Sequence, residues 1–200
     1  MTIALIDYGA GNLHSVHNAL KAAGARDIAV TDDPETVRGA DRVVLPGVGA
    51  FGACAKGLRA VPGMVAAMEE RVLEGGAPFL GVCVGMQLMA ETGEEFGEHA
   101  GLGWVSGKVA AIPPAPGLRV PHMGWNDVVP SRPHPLIEAG EAYFLHSFAF
   151  SGAHVIATSD HGGPVTAAIG RDNMVGVQFH PEKSQRYGIA LLERFLEWRP

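Results

Sequence analysis

Short apolar runs separated by helix-like stretches dominate the first eighty or so residues, and this rhythm constrains the fold most tightly. The strand-like runs are Ile3 to Ile6, Ile28 to Val30, Arg42 to Leu45 and Phe79 to Val82, and the amphipathic stretches are Ser15 to Ala23 and Met64 to Leu73. Near-continuous apolar runs of this length, closed by Gly or Asp, are what strands of a parallel sheet covered on both faces look like. From Trp104 onward the pattern changes. Strand candidates at Val105 to Ala110, Asp127 to Val129, Ala142 to Phe148, Val155 to Thr158, Val165 to Ile169 and Met174 to Phe179 are separated by Pro/Gly turns, which predicts hairpins. Pro113, Pro114, Pro116 and Pro121 make Ile112 to Pro121 an extended loop. Ser184 to Trp198 carries Ile189, Leu191, Leu192, Phe195 and Leu196 at helical spacing, with Ser184 as N-cap. The expectation is an α/β fold: an open, mostly parallel sheet with helices on both faces and an antiparallel flank. With 200 residues and 47% hydrophobic content, the chain suits one domain spanning 1–200 better than two.

The segment Pro78-Phe79-Leu80-Gly81-Val82-Cys83-Val84-Gly85-Met86-Gln87 runs a buried strand into Gly-x-Cys-x-Gly and then a helix. In such an elbow the flanking glycines remove side chains that clash where the backbone doubles back, and the thiol stands at the carboxyl edge of the sheet. The helix N-terminus favours the thiolate, and the NH of Val84 faces the place where a tetrahedral oxyanion forms. By itself the pattern equally fits a structural cysteine beside packing glycines, because free Cys is among the most buried residues. Cys54 has no such context and reads as a core or surface thiol.

A second signal, Gly176-Val177-Gln178-Phe179-His180-Pro181-Glu182, closes the last strand candidate. Pro181 keeps His180 out of the helical region, so an extended segment projects His180 and Glu182 to one side. Glu182 then takes the Nδ1 proton and leaves Nε2 to accept the proton of Cys83, the nucleophile, base and orienter arrangement of acyl transfer. Alone, His-Pro-Glu is an ordinary surface turn. Beside a cysteine elbow, the two are sequence-distant parts that a parallel sheet can bring to one edge. The loop Pro46-Gly47-Val48-Gly49, which also follows a strand candidate, then becomes the source of a second oxyanion donor, by the NH of Val48, with Gly47 and Gly49 bordering the substrate. Without the elbow it is a plain βα turn. Gln87, one helical turn after Cys83, faces the same side and can hold the substrate.

Charge and cysteine content narrow the partners. A formal charge of −6 without any Lys/Arg run gives no footprint for nucleic acid or an anionic membrane. Two cysteines make no disulfide framework, the histidines show no metal-ligand spacing, and no cofactor motif is present. Reduced thiols, a start that runs straight into an apolar strand and the lack of any membrane-length apolar stretch predict a cytoplasmic protein.

These residues resemble the triad-type, class I glutamine amidotransferases, an open-sheet fold that carries Gly-x-Cys-x-Gly-x-Gln and a late His-Pro-Glu. Within them the chain is similar over its whole length to the glutaminase subunits of imidazole glycerol phosphate synthase. The similarity is carried by Asp7-Tyr8-Gly9-Ala10-Gly11-Asn12-Leu13, Leu45 to Phe51, Pro121-His122-Met123-Gly124-Trp125-Asn126, Leu145-His146-Ser147-Phe148 and Phe179 to Ser184. Val84 stands where Leu is expected, at a position whose role belongs to the backbone NH. The resemblance implies hydrolysis of glutamine at Cys83, His180 and Glu182, with ammonia passed to a (βα)8-barrel synthase subunit in a heterodimer. There it would yield imidazole glycerol phosphate and aminoimidazole carboxamide ribonucleotide, a step of histidine biosynthesis. It also implies that Glu95 binds the substrate α-ammonium, that His146 and Ser147 border the glutamine pocket, and that Asn12, Met123, Trp125 and Lys183 face the partner. The elbow and His-Pro-Glu alone also admit the glutaminase subunit of another amidotransferase, and two other classes compete: a stand-alone cysteine hydrolase of the same fold, for which a signal peptide and more cysteines are expected, and a silent binding module, which the complete triad disfavours.

Overall fold

The computed structural model describes residues 1–114 and 117–200, so Pro116 of the proline-rich loop lies outside the described residues. The chain begins with β1 (Thr2–Ile6), α1 (Leu13–Ala22), β2 (Asp27–Thr31), α2 (Pro34–Arg38), β3 (Arg42–Leu45), α3 (Phe51–Ala60) and α4 (Met64–Glu69). A π-helical turn over Glu70–Glu74 leads to β4 (Phe79–Val82), then α5 (Val84–Gln87), β5 (Ala90–Gly93), β6 (His99–Ala100), β7 (Val105–Ala111) and β8 (His122–Pro130). It ends with β9 (Gly140–His146), β10 (Phe148–Gly152), β11 (Val155–Asp160), β12 (Pro164–Arg171), β13 (Met174–Val177), a 3-10 turn over Pro181–Lys183 and α6 (Gln185–Glu197).

The main sheet runs β2-β1-β3-β4-β13-β12-β11-β8-β9. Its first five strands pair in parallel, and the rest form the antiparallel flank. A smaller sheet, β10-β7-β5-β6, sits beside it. The fully buried runs of β3, β4 and β13 explain why these strands read as unbroken apolar stretches: both faces are covered. α1 packs on α6, while α2 and α3 pack on α4. Because β1 passes left to β2 and the chain then crosses over to β3, right-handed crossovers place α1 and α2 on opposite faces. The direction reverses between β1 and β3, and in open α/β sheets the crevice at such a point, beyond the carboxyl ends of the strands, is where ligands bind.

The sequence reading needs correction at several elements. α2 was not anticipated, although Asp33 caps it by accepting from the NH groups of Glu35 (3.2 Å) and Thr36 (3.1 Å), with Pro34 in the first turn. α3 was missed because Gly52 and Gly57 weaken its helical pattern. The run Ala142 to Phe148 is two strands in two sheets, broken at Ser147. Met174 to Phe179 is a strand only as far as Val177. Ser184 does occupy the N-cap position of α6, but its side chain makes no capping bond. Its hydroxyl donates to the carbonyl of His180 (2.7 Å) and accepts from the NH of Tyr143 (2.9 Å), which ties the His-Pro-Glu turn to β9. Buried Arg42 donates to the carbonyls of Leu196 and Trp198, satisfying the end of α6 from β3.

Candidate active site

The elbow forms as its residues require. Cys83 has φ 54° and ψ −112°, a left-handed conformation that non-glycine residues rarely hold, and its NH donates 2.8 Å to the carbonyl of Val177 on β13. A side chain at Gly85 would drive into the carbonyl of Leu45, so the turn closes against β3 only with glycine there. Cys83 thus sits at the carboxyl end of β4 between the loop after β3 and the turn after β13.

His180 follows β13 and projects into the same pocket. Its Nδ1 lies 2.8 Å from Oε1 of Glu182, and both side chains are almost wholly buried, at 3% and 2% exposure. The geometry differs from the extended segment expected: His180 itself is extended (φ −101°, ψ 99°), but Pro181–Lys183 is a 3-10 turn. One tight turn brings the carboxylate back beneath the imidazole. Burial alone would depress the imidazole pKa, yet the hydrogen bonds and charges of Cys83 and Glu182 outweigh it and push the value up to about 10. Such an imidazole readily takes a proton from a thiol. Oε2 of Glu182 has no partner among the described residues, so the carboxylate is committed to His180.

The pocket around Cys83 and His180 is lined by Val48, Gly49, Val84, Gln87, Glu95, His146, Ser147 and Lys183. Gly47 lies just behind the wall. Its carbonyl accepts from the NH of Val84 at 3.4 Å. Because a peptide is planar and trans, the NH of Val48 on that same peptide points the other way, away from Val84. The neighbouring carbonyls are held too: the Tyr8 hydroxyl donates to Pro46 (2.7 Å) and the Cys54 thiol to Val48 (3.4 Å). Burial pushes the proton affinity of both donors up, which keeps those protons in place. Cys54 is therefore a core thiol on α3, 1% exposed.

Gln87 is 3% exposed, and its Nε2 donates to the carbonyl of Phe148 (3.0 Å) and to Oε1 of Gln178 (3.0 Å). With both amide hydrogens used, it can show a substrate only its carbonyl oxygen. Glu95 accepts from the NH of Phe51 at the start of α3 (2.7 Å), which fixes the carboxylate at the pocket edge. His146 uses Nδ1 on the carbonyl of Phe148 (2.9 Å) and Nε2 on His122 (3.0 Å), so its ring forms a wall of the pocket with both nitrogens engaged. Gln178, His122 and Tyr8 were not singled out from sequence. Gln178, a polar residue within the apolar run Met174 to Phe179, carried the readable signal.

Of the residues expected at the partner face, Lys183 lines the pocket while Asn12, Met123 and Trp125 do not. Met123 (65% exposed) and Trp125 (47% exposed) project from β8 beside Leu145 and Tyr143 of β9, and Lys183 reaches over the Tyr143 ring at 5.9 Å. Together they form an apolar patch bordering the pocket mouth. Asn12 precedes α1 with no side-chain capping bond.

The family model described as glutamine amidotransferase class-I matches residues 4–198. The imidazole glycerol phosphate synthase subunit HisH of Zymomonas mobilis is 61% identical over 206 residues, covering 100% of this chain and 97% of that protein. The subunit of the same name from Caulobacter vibrioides is 53% identical, covering 100% of this chain and 99% of its own. Among solved structures, a crystal structure of a glutamine amidotransferase superposes with a TM-score of 0.76 at 21% identity, covering 98% of both chains. PurLQS from Thermotoga maritima does so with 0.74 at 18% identity, covering 98% of this chain and 97% of that one.

Proposed function

The chain belongs to the class-I glutamine amidotransferases and, within them, to the HisH subunits of imidazole glycerol phosphate synthase, and from this we propose that it hydrolyses glutamine at Cys83 for histidine biosynthesis. Cys83 attacks the γ-carboxamide carbon while His180 takes the thiol proton. The tetrahedral oxyanion rests on the NH groups of Val84 and Val48 once the Gly47–Val48 peptide turns over, because as it stands its carbonyl occupies the Val84 NH and its own NH points away. His180 then protonates the leaving nitrogen, ammonia departs, and a thioester remains on Cys83. Water, activated by His180, attacks the thioester to release glutamate and restore the thiol. Glu182 holds the imidazole in one tautomer, Glu95 takes the α-ammonium, and the carbonyl oxygen of Gln87 meets the substrate's donors. The ammonia passes to a (βα)8-barrel synthase subunit docked on Asn12, Met123, Trp125 and Lys183, in the cytoplasm. The observation that carries this reading is the buried His180–Glu182 pair set against a cysteine on a left-handed elbow.

A glutamine-mimicking electrophile tests it. Peptide mapping is expected to find the label on Cys83 with Cys54 free, because Cys54 is buried and donates to Val48. Label on Cys54, or a Cys83→Ala variant that still hydrolyses glutamine, would overturn the assignment.

A further inference from the structure

Directly after β13 stands Gln178, fully buried at 0% exposure, an expensive place for a primary amide unless its hydrogen bonds are met. The surrounding atoms settle which way that amide faces. The carbonyl of Phe148 can only accept, so the atom of Gln87 lying 3.0 Å from it is Nε2. The second hydrogen of the same nitrogen goes to Oε1 of Gln178, also 3.0 Å away. Gln178 must then turn its own Nε2 to the other side, where it lies 3.8 Å from Sγ of Cys83. A backbone carbonyl thus orients two side-chain amides in series and leaves an N–H on the sulfur.

The Phe148 carbonyl is itself fixed. It accepts from Nδ1 of His146 at 2.9 Å, whose Nε2 accepts from Nδ1 of His122 at 3.0 Å. His122 Nε2 in turn accepts from Nδ2 of Asn126 at 3.0 Å, and Asn126 shows that nitrogen because its Oδ1 is taken by the NH of Asp127 at 2.8 Å. Both arms donate into Phe148 without a conflict, so every tautomer and amide orientation follows from a backbone group. A lone amide beside the nucleophile could rotate. This one is locked.

We propose that Gln178 is a positioning residue for the nucleophile, holding an N–H donor against Cys83 Sγ at the end of an amide relay anchored on the Phe148 carbonyl. It rests on the reading of Cys83 as nucleophile. The relay has a chemical use: a thiolate in a buried site lacks water, and a fixed donor 3.8 Å from the sulfur offsets that loss and limits its rotamers. The attack is thereby aimed into the pocket.

The test uses the full chain, alkylated with iodoacetamide at pH 7.5 and read at Cys83 by peptide mass, together with glutamine turnover in the synthase complex. Gln178→Met keeps the volume and removes the donor. Gln178→Glu keeps the acceptor for Gln87 and turns an oxygen toward the sulfur. In whichever variant melts like the wild type, alkylation is expected to slow roughly tenfold or more, the scale of a hydrogen bond to an ion. The kcat should fall in proportion while KM for glutamine holds. A purely structural role would lower the melting temperature and leave the folded fraction alkylating normally. Unchanged alkylation in a folded variant overturns the role of Gln178 alone, whereas a wild-type label absent from Cys83 overturns the nucleophile reading and this proposal with it.

Discussion

At the residue scale, the side chains around Cys83 divide the chemistry unequally. His180 moves the proton in both half-reactions, while Glu182 touches no reacting atom and acts only on the imidazole. His180→Ala is therefore expected to lower kcat by about a thousandfold or more, and Glu182→Gln by less. Steady-state assays of the synthase complex check the order, and a Glu182→Gln loss exceeding that of His180→Ala would reverse the roles. How much of the site the sequence disclosed follows from distance along the chain. Cys83 and its glycines, or His180 and Glu182, are local patterns whose spacing carries their meaning. Gln178 meets Cys83 across 95 positions and Tyr8 meets Pro46 across 38, so their roles exist only once the sheet has formed. His146 shows the reverse case: it does line the pocket, but both ring nitrogens are spent on protein partners, which no motif could disclose.

At the scale of elements, the parallel half of the sheet was legible because strands covered on both faces must be apolar throughout. The antiparallel half was less so. An apolar run tells nothing of a change of sheet, and the break at Ser147 is imposed by β9 pairing with β8 while β10 pairs with β7. Two buried histidines on β8 and β9 give this flank a pH signature. Burial pulls His122 and His146 each from 6.5 down to about 4, with His161 stacked 4.0 Å from His122 and His180 near His146 adding repulsion. The folded state thus binds fewer protons than the unfolded chain between those values. Their stabilisation is complete above pH 6.5 and is lost as pH falls toward 4. Thermal midpoints should drop over that window, and His122→Asn should flatten the slope; an equal slope in that variant would exclude the pair as its source. The Pro46 to Gly49 loop makes a different prediction. Gly49, at φ +104° with open space around it, is a pivot beside a peptide whose NH points away from Val84. Gly49→Pro cannot take that φ and should abolish partner-stimulated turnover, a loss of about a hundredfold or more if one oxyanion donor goes missing. Full turnover with the synthase subunit in that variant would show that this loop need not move.

At the scale of the whole molecule, the pocket opens beside an apolar patch that a lone chain has no reason to expose. Met123 and Trp125 of β8 and Leu145 of β9 stand outward, while the opposite face buries His122 and Val128 of β8 and Ala142, Phe144 and His146 of β9. Single exposed apolar residues are ordinary, but a cluster at the mouth of a pocket marks a contact surface. Here the contact has a second consequence. Covering this patch with a synthase subunit would close the mouth, so that ammonia leaving Cys83 has one exit, into the partner. Trp125 is 47% exposed and meets Tyr143 edge-on, with ring centroids 6.2 Å apart, so removing it leaves no cavity in the core. Trp125→Ala is therefore expected to melt at the wild-type temperature. Truncating an exposed aromatic anchor typically costs on the order of 2 kcal/mol of association, about thirtyfold in Kd. A titration of the variant against the synthase subunit measures that loss, and glutaminase assays at saturating partner separate docking from catalysis, because Trp125 does not line the pocket. Recovery of full turnover at high partner concentration is the expected outcome. An unchanged Kd, or a cooperative loss of folding, would return Trp125 to the core and leave the patch without its role.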